Sequence, residues 1–538
     1  MFRSMLVPAE EKVLTDREPK ITEDGCRAAR DERVSFQLAY LADARTLDVE
    51  VEIDSPLKKD ISVRVVDCVP CTLPDMGGGD DYYLSRVAFL CPDVLREKHS
   101  SLTLRHGVWS SLWFTVSGKR RAGDYPIKIS LTRGGDVLCT HTYTLSVGNY
   151  SLGESDLICT DWFHYDGIAQ YYRLPVFSPK YNRIMDDYIR HAVGHGINMI
   201  LVPLFTPALD TRVGGERLTV QLLDVTVTPD GGYTFDFSRL LAFLARLDRL
   251  GVRWFEFSHF FTQWGAEHAP KIVAKTPQGE KRIFGWETDA TGPEYSTFLS
   301  ALLPQLKSAL VEAGYWDRSW FHVSDEPNEN NLPAYTAAHD LVLSILPDLR
   351  LMDAASRIEY YDRGLIATPI PVISATAPFL ERGNVPNLWT YYCCGPDNGY
   401  YPNRFMAMPG ERTRVLGLQL WLSGIVGFLH WGYNFYNSVL SDEPIDPYLV
   451  TDSDGSFPSG DAFSVYPSRE GGCLDSLRLE LFYAAIQDRM LMKKLEEKRG
   501  RAFAEKLLAD AGFQKDFHTY PRDLVALRAL REKIHASI

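Results

Sequence analysis

After about Tyr150 the chain alternates short apolar runs with longer amphipathic segments, and this alternation limits the fold more than any other feature of the sequence. In the segment 238–250, for example, Leu241, Leu244 and Leu247 recur on one helical face before Gly251. Short strands joined by helices are typical of parallel sheets. The eight apolar runs are 156–160, 198–203, 252–258, 320–324, 350–353, 371–374, 387–392 and 426–431.

Eight strand–helix units over residues 151–498 predict a (β/α)8 TIM barrel with long loops. A doubly wound open sheet is the alternative, but the sequence contains neither the G-x-G-x-x-G loop nor the Walker-type loop that would favour it. Helices of this unit are predicted at 411–423 and, as the last one, at 474–497. Because the carboxyl ends of barrel strands surround the active site, residues that follow the apolar runs are the first candidates for chemistry.

Residues 1–150 have a different pattern, in which apolar and polar side chains alternate with a period of two from Arg33 to Val147. Short strands of this kind, separated by turns such as Arg-Gly-Gly-Asp at 133–136, predict an antiparallel β-sandwich. The segment 499–538 contains two short helical patterns and is interpreted as a helical tail that packs on the rest of the chain.

The charge balance disfavours some classes of partner. The 538 residues carry a net charge of −13 without basic stripes, so neither nucleic acid nor an anionic membrane is an expected partner. The first 16 residues contain only a short apolar stretch, Met-Leu-Val at 5–7, and no later apolar run is long enough to span a bilayer. We therefore expect a cytoplasmic protein that binds a neutral or cationic ligand. No cofactor is predicted.

The fourth apolar run ends in two adjacent carboxyls, in the segment Phe-His-Val-Ser-Asp-Glu-Pro at 321–327. Acids at the end of a buried strand lie in a partly dehydrated cleft, which can separate their pKa values and suit them to acid and base roles. Asp325 and Glu326 are therefore the candidate catalytic residues of a glycosidase. A second Ser-Asp-Glu-Pro at 441–444 lacks a preceding strand run and is interpreted as part of a loop.

The seventh run, where many barrel glycosidases carry a nucleophile, contains no acid between Asn387 and Pro396. This absence favours a substrate that supplies its own nucleophile, as a 2-acetamido sugar does through its carbonyl oxygen. Asp325 would then hold the acetamido group, and Glu326 would act first as general acid and then as general base. Two alternatives stay open: a protein nucleophile such as Asp353, and a barrel that binds carbohydrate without cleaving it.

Four segments together resemble glycoside hydrolase family 123 and its relatives, namely 324–327, 391–396, 427–434 and 476–480. The resemblance implies an N-terminal β-sandwich joined to a (β/α)8 barrel, with the family's adjacent acid pair at Asp325 and Glu326. It also implies a retaining exo-acting enzyme that releases β-linked N-acetylgalactosamine from a glycan through an oxazolinium intermediate. The terminal 2-acetamido sugar is thus the expected ligand.

Aromatic and polar side chains near three strand ends are the candidate substrate-binding residues, because sugar rings stack on aromatic faces while hydroxyl groups need polar partners. They are His259, Trp264, Tyr391, Tyr392, Trp431, Tyr433 and Asn434. No metal site is predicted, since the sequence has no H-E-x-x-H and no paired C-x-x-C. Asp452 and Asp454 lie in a fragment of a calcium-type loop, for which a solvated turn is the alternative interpretation.

Overall fold

The computed structural model describes residues 2–538. The first part of this range forms two five-stranded sheets, with the orders β1-β3-β8-β5-β6 and β2-β10-β9-β4-β7. Their strands are β1 (Arg3–Pro8), β2 (Gly25–Ala28), β3 (Val34–Leu41), β4 (Thr46–Asp54), β5 (Ile61–Cys71), β6 (Phe89–Glu97), β7 (Leu102–Leu104), β8 (Trp109–Val116), β9 (Gly123–Arg133) and β10 (Asp136–Val147).

A hydrophobic core joins these two sheets, because every second side chain of a strand points to the same face. Phe36 and Phe114 of the first sheet pack with Tyr143 of the second, and the ring centroids of Phe36 and Tyr143 are 3.9 Å apart. One pairing departs from the predicted antiparallel arrangement, since β2 and β10 run parallel. The short β1 and β2 also lie before Arg33, where the period-two pattern begins.

In the remaining elements, strands are followed by helices as the sequence predicts, but three antiparallel strand pairs are added that the sequence did not predict. In chain order they are β11 (Ile158–Asp161), α1 (Tyr165–Tyr172), α2 (Pro179–Gly194), β12 (Met199–Val202), β13 (Asp224–Val227), β14 (Tyr233–Asp236), α3 (Ser238–Arg249), β15 (Trp254–Phe257), β16 (Ile272–Thr276), β17 (Gly279–Phe284), α4 (Pro293–Glu312), β18 (Ser319–Trp320), α5 (Leu332–Ile345), β19 (Met352–Ala354), α6 (Ile358–Asp362), β20 (Thr368–Ile370), α7 (Ala377–Arg382), β21 (Trp389–Tyr391), α8 (Gly410–Arg414), α9 (Leu416–Leu422), β22 (Gly427–His430), β23 (Val465–Pro467), β24 (Cys473–Asp475), α10 (Leu477–Arg499), α11 (Arg501–Asp510) and α12 (Leu524–Ser537).

The predicted barrel strands are present as two parallel sheets instead of one continuous ladder. Six strands form a sheet in the order β18-β15-β12-β11-β22-β21, and β19 pairs with β20. Single parallel bridges link the two sheets, Phe321 with Leu351 and Val372 with Tyr391. The ladder is interrupted where the strands are shortest, because β18, β19 and β20 contain only two or three residues each.

One hydrophobic cluster nevertheless takes side chains from all eight of these strands. Its members include Ile158, Met199, Trp254, Trp320, Met352, Ile370, Trp389 and Leu429. The indole of Trp389 lies directly on Gly427 of the neighbouring strand, where an added Cβ would stand 1.9 Å from the ring. Glycine is therefore required at this position by close packing between β21 and β22.

Two sequence predictions in this region are wrong in detail. The sixth strand is Thr368–Ile370, before the predicted run 371–374, and Ile373–Ala375 instead forms a turn of 3₁₀ helix. The observed strand contains Pro369, a residue that argues against strand assignment from sequence. The helix predicted at 411–423 is divided at Val415 into α8 and α9.

Long loops carry additional structure above the carboxyl ends of β12 and β15. Strands from these loops form a separate four-stranded sheet in the order β14-β13-β16-β17. The loop after β12 also contacts the loop after β22, through hydrogen bonds described below. These insertions explain why the unit is longer than a minimal barrel.

The C-terminal helices pack on both parts of the chain. Helix α10 begins after Ser476, whose side chain accepts a hydrogen bond from the Leu479 N–H. Arg531 of α12 donates to Asp488 of α10 at 2.7 Å and to Glu32 of the first part at 2.6 Å. Within residues 2–538, none of the helices combines the length and apolar character needed to cross a bilayer.

Candidate active site

A cavity of about 130 Å³ opens at the carboxyl ends of the parallel strands. It is lined by three carboxyls, by aromatic rings and by small or apolar side chains, namely Asp210, Asp325, Glu326, Trp162, Trp264, Tyr391, Trp431, Phe457, Leu209, Ala354, Cys393, Cys394 and Leu429. A larger compartment of about 520 Å³ adjoins it and shares Trp264, Glu326, Ala354 and Tyr391 with it. We call these two spaces the inner cavity and the outer compartment.

Asp325 and Glu326 lie in the loop that follows β18. The backbone of this loop is held by the neighbouring loop after β15, because the Phe261 N–H donates to the Val323 carbonyl at 3.1 Å and the Trp264 N–H donates to the Asp325 carbonyl at 3.0 Å. Glu326 has a φ of 46°, in the left-handed region that is uncommon for residues other than glycine. Such conformations cluster at functional sites, where the surrounding structure maintains them.

The two side chains reach the cavity with acceptor oxygens left free. Tyr391 donates its hydroxyl hydrogen to Glu326 Oε1 at 2.6 Å. Among the residues described, no other protein donor binds the Glu326 carboxyl, and none binds the side chain of Asp325. Within residues 2–538 neither acid forms an ion pair, so both remain available to a ligand.

The pKa of Asp325 is raised well above its ordinary value of 3.8. Burial is the main cause, because it disfavours the charged form, and the neighbouring carboxylate of Glu326 adds a repulsive contribution. The charge of His322 acts in the opposite direction but does not outweigh them. As a result, the pair retains a proton at a pH where two isolated carboxyls would both be ionised.

A buried network of charges lies beneath the acid pair. The two ring nitrogens of His322 contact Glu256 Oε1 at 2.7 Å and Asp353 Oδ1 at 3.1 Å. Burial alone would lower the pKa of His322, but these two carboxylates raise it to about 10. The imidazolium therefore places a fixed positive charge below Asp325.

Asp353, the alternative nucleophile, is enclosed in this network. Tyr335 donates to its Oδ2 at 2.6 Å, His322 lies at Oδ1, and the side chain is 1% exposed. Asp353 does not line the inner cavity. The geometry therefore disfavours Asp353 as a group that attacks a sugar.

Two tryptophans from the ends of β11 and β22 form the aromatic wall of the inner cavity. The Trp162 indole N–H donates to Glu256 at 2.7 Å, and the Trp431 indole N–H donates to Asp461 Oδ2 at 3.0 Å. Because both N–H groups bind carboxylates of the protein, the rings are fixed and present carbon surfaces to the cavity. Trp264, which is 44% exposed, and Tyr391 lie where the inner cavity meets the outer compartment.

The structure thus brings together five of the residues selected from sequence, namely Asp325, Glu326, Trp264, Tyr391 and Trp431. The other four do not line the cavity. Tyr433 is fully buried and donates to the Tyr188 carbonyl at 2.9 Å. Asn434 is likewise buried and exchanges hydrogen bonds with the backbone of His164.

Tyr392 and His259 are also buried away from the cavity surface. Tyr392 packs against Phe428 and His430, with ring centroids 4.9 and 5.4 Å apart. His259 stacks on His322 at 4.3 Å, and burial lowers its pKa well below the ordinary value, so it is neutral beside the imidazolium. Both residues support the site from below instead of facing a ligand.

Sequence reasoning did not select Asp210 or Trp162 as site residues. Trp162 is the second residue after the first apolar run, so its position at a strand end was a usable signal. Asp210 lies in the loop after β12, and its approach to the cavity depends on a contact with the distant loop after β22. A local sequence pattern does not indicate such a contact.

Three groups of potential metal ligands occur among residues 2–538, and none includes Asp325 or Glu326. The group nearest the site is His259, His322 and Asp353. Both ring nitrogens of His322 are already bound to acids, so this set does not present a free cluster of donors. In the calcium-type loop, the Asp452 carboxyl accepts from Thr72 at 2.5 Å and from the Gly455 N–H at 3.1 Å, as in a turn.

Comparison with known proteins adds independent findings. The chain matches the family model for the glycoside hydrolase 123 catalytic domain over residues 162–495. It is similar to the structure of a family 123 glycoside hydrolase from Clostridium perfringens, with a TM-score of 0.75 and 15% identity over 100% of this chain and 96% of that chain. That structure was analysed for the details of glycolipid glycan hydrolysis. No curated protein matches the chain.

Two further structures are only weakly similar. A family 39 glycoside hydrolase from Bacteroides cellulosilyticus WH2 has a TM-score of 0.32 and 10% identity, covering 89% of this chain and 83% of that chain. A family 5 mannosidase from Rhizomucor miehei has a TM-score of 0.32 and 13% identity, covering 63% of this chain and 96% of that chain.

Proposed function

The chain belongs to glycoside hydrolase family 123, as the sequence resemblance predicted, and from this premise we propose that it is a retaining exo-acting glycosidase that releases β-linked N-acetylgalactosamine. The observation that carries the proposal is the acid pair: Asp325 and Glu326 are neighbours on one loop, and both direct uncommitted oxygens into an aromatic-walled cavity. The end of β21 carries Tyr391, Cys393 and Cys394 there, instead of an acid.

Substrate assistance accounts for two adjacent acids better than a protein nucleophile does. In a retaining enzyme with its own nucleophile, the two carboxyls act from different positions about 5–5.5 Å apart around the scissile bond. Here the acids are consecutive residues, and the alternative nucleophile Asp353 is bound by Tyr335 and His322. The acetamido carbonyl oxygen of the substrate then supplies the attacking group.

In the first step, the acetamido carbonyl oxygen attacks the anomeric carbon and the bond to the leaving oxygen breaks. Glu326 donates its proton to that oxygen, while the carboxylate of Asp325 accepts a hydrogen bond from the acetamido N–H and balances the positive charge of the oxazolinium ring. In the second step, Glu326 removes a proton from water, which attacks the anomeric carbon and reopens the ring. Two displacements at the same carbon retain the β configuration.

Other residues orient the acid pair and contact the sugar during these steps. The hydroxyl of Tyr391 fixes Glu326 Oε1 at 2.6 Å, which leaves the second oxygen for the leaving group. Trp162 and Trp431 provide apolar surfaces for the C–H faces of the sugar. In this mechanism the proton of the pair is on Glu326, and the buried imidazolium of His322 acts in favour of the ionised form of Asp325.

The two compartments fit a glycan with a terminal 2-acetamido sugar. The inner cavity takes the terminal residue, and the larger outer compartment, which includes Asn328, Asn330 and Arg357, takes the polar remainder of the glycan.

We also propose that the eight parallel strands act as one (β/α)8 barrel over residues 151–498. Residues 1–150 would then be a separate sandwich domain, and 499–538 a helical tail.

The test is a panel of 4-nitrophenyl β-glycosides of N-acetylgalactosamine, N-acetylglucosamine and galactose. We expect turnover of the acetamido sugars, with the galactosamine substrate preferred, and no turnover of galactose. A thiazoline analogue of N-acetylgalactosamine should inhibit strongly, because it mimics the oxazolinium ring. Equal turnover of the galactoside would contradict substrate assistance, and glycan binding without any turnover would indicate a binding protein.

A further inference from the structure

A third carboxyl, that of Asp210, faces the inner cavity together with Asp325 and Glu326. Asp210 Oδ2 accepts a hydrogen bond from the Leu440 N–H at 2.9 Å. Among residues 2–538, no side chain or backbone group binds its other oxygen, Oδ1. One oxygen is thus held by the protein, and the other is left for a donor that enters the cavity.

Contacts between two loops fix the position of Asp210. The Ser441 hydroxyl donates to the Asp210 carbonyl at 2.7 Å, and the Arg212 N–H donates to the Leu440 carbonyl at 3.0 Å. Because these contacts surround Asp210 on both sides, its carboxyl is positioned by the protein itself.

In the described part of the chain, no arginine forms an ion pair with the Asp210 carboxyl. Arg217, whose charge acts to lower the pKa of Asp210, instead binds Asp166 through hydrogen bonds of 2.7 and 2.6 Å. Burial, helped by the charges of Asp442 and Asp461, raises the pKa of Asp210 to about 6. A half-buried carboxyl of this kind is stabilised by hydrogen-bond donors, and sugar hydroxyl groups are such donors.

Asp210 and Glu326 have different relations to the two compartments. Glu326, Tyr391 and Trp264 line both spaces, whereas Asp210 lines only the inner cavity. A sugar with its scissile bond at Glu326 directs its anomeric carbon towards the outer compartment. The opposite edge of the ring, with the 4- and 6-hydroxyl groups, then faces residues found only in the inner cavity.

We infer that Asp210 is a specificity-determining residue whose free Oδ1 accepts hydrogen bonds from the 4- and 6-hydroxyl groups of the bound sugar. The inference rests on the proposed function, because it takes a terminal pyranose as the ligand. The 4-hydroxyl is axial in galactose-type sugars and equatorial in glucose-type sugars. A fixed acceptor at this edge therefore distinguishes the two, and takes no part in breaking the glycosidic bond.

The experiment compares wild type, Asp210→Asn and Asp210→Ala on two substrates, 4-nitrophenyl N-acetyl-β-galactosaminide and its 4,6-dideoxy analogue. On the first substrate we expect each variant to lose about 10- to 100-fold in kcat/KM, mainly through a higher KM, as for a lost hydrogen bond to a charged group. On the dideoxy analogue each variant should stay within about threefold of wild type, because the partner hydroxyls are absent.

Equal losses on the two substrates would overturn the inference and leave Asp210 a purely structural role. Formation of a glycosyl azide when azide is added to Asp210→Gly would also overturn it, in favour of a nucleophile. Glu443→Gln, an exposed change in the adjoining loop, is the control and should match wild type. Thermal unfolding of each variant checks that it is folded.

If the proposed function is wrong, the result is different, because the wild-type protein then does not cleave 4-nitrophenyl N-acetyl-β-galactosaminide. Calorimetric titration with free N-acetylgalactosamine then takes the place of the kinetic comparison. Weaker binding by Asp210→Asn than by wild type would support the role of Asp210 in recognition. Equal binding by the two proteins would overturn it.

Discussion

The chain carries Ser-Asp-Glu-Pro twice, at 324–327 and at 441–444, and the two copies lie in contrasting surroundings. The first follows β18 and lines the inner cavity, with Asp325 and Glu326 partly buried. The second lies in a loop, with Asp442 and Glu443 exposed. Asp442 is bound by the Arg212 guanidinium, whereas the side chain of Asp325 has no protein partner in the described part of the chain.

The surroundings shift the pKa values of the two aspartates, Asp325 and Asp442, in opposite directions. Burial and the charge of Glu326 raise the pKa of Asp325, while the hydrogen bond and charge of Arg212 lower the pKa of Asp442. The same four residues therefore provide a candidate acid pair in the inner cavity at 324–327 and an exposed ion pair in the loop at 441–444. The preceding apolar run, which only the first copy has, is the part of the pattern that indicates chemistry.

The largest difference in kcat/KM is expected between substitutions of the two glutamates, Glu326 and Glu443. Glu326→Gln should reduce kcat/KM by about 10²–10⁴-fold on substrates with poor leaving groups, because the proposed general acid is lost. Glu443→Gln should remain within about twofold of wild type. The measurement is steady-state hydrolysis of β-N-acetylgalactosaminides that differ in leaving-group pKa, and similar losses in the two variants would remove Glu326 from the catalytic role.

Substitutions of the two aspartates are expected to differ in their effect on the hydrolysis of activated substrates. Asp325→Asn should lose about 10- to 1,000-fold in kcat even with 4-nitrophenolate as leaving group, because in the proposed mechanism its carboxylate orients the attacking acetamido group and balances the charge that develops on it. Asp442→Asn should lose little, since its ion pair is exposed. Equal activity of wild type and Asp325→Asn on the activated aryl glycoside would refute the assignment of Asp325.

Much of the fold follows from local patterns. The period-two alternation between Arg33 and Val147 marks most strands of the first part, because each strand buries one face. The apolar runs after Tyr150 mark the parallel strands, because these are buried on both faces. The sixth strand was misplaced because Pro369 lies inside it, and the strand ladder is less continuous than eight equal runs suggest.

The candidate site is less predictable because side-chain direction and loop contacts decide it. Trp431 faces the cavity, but Tyr433 and Asn434, two and three residues later, turn inwards to Tyr188 and His164. Proximity to a strand end does not distinguish these directions. Asp210 depends on a contact between loops some 230 residues apart in sequence, which no local pattern indicates.

A smaller effect is expected at Tyr391, which has no counterpart at the second copy. Tyr391→Phe removes the 2.6 Å hydrogen bond to Glu326 but keeps the ring in the cavity wall. We expect a loss of about 10-fold in kcat/KM, in line with one hydrogen bond to an ionisable group, together with a shift of the pH–rate profile. An unchanged profile would show that Tyr391 only packs against the sugar.

The smallest expected effect is a change in unfolding temperature, and its sign differs between substitutions in the two Ser-Asp-Glu-Pro segments. The folded chain holds the Asp325 proton more tightly than the unfolded chain, so wild type loses stability as the pH rises above the ordinary aspartate value of 3.8. Asparagine does not titrate, so Asp325→Asn should raise the unfolding temperature by roughly 1–3 °C at pH 7 and have little effect below pH 3.8.

Asp442 behaves in the opposite sense, because its pKa is lowered by Arg212. Its ion pair stabilises the folded chain above the ordinary aspartate pKa and loses that contribution as the pH falls. Asp442→Asn should therefore lower the unfolding temperature slightly at pH 7, by less than about 1 °C, since the pair is exposed. Scanning calorimetry of both variants at several pH values measures the two signs, and a destabilised Asp325→Asn at pH 7 would show that the acid pair is not under electrostatic strain.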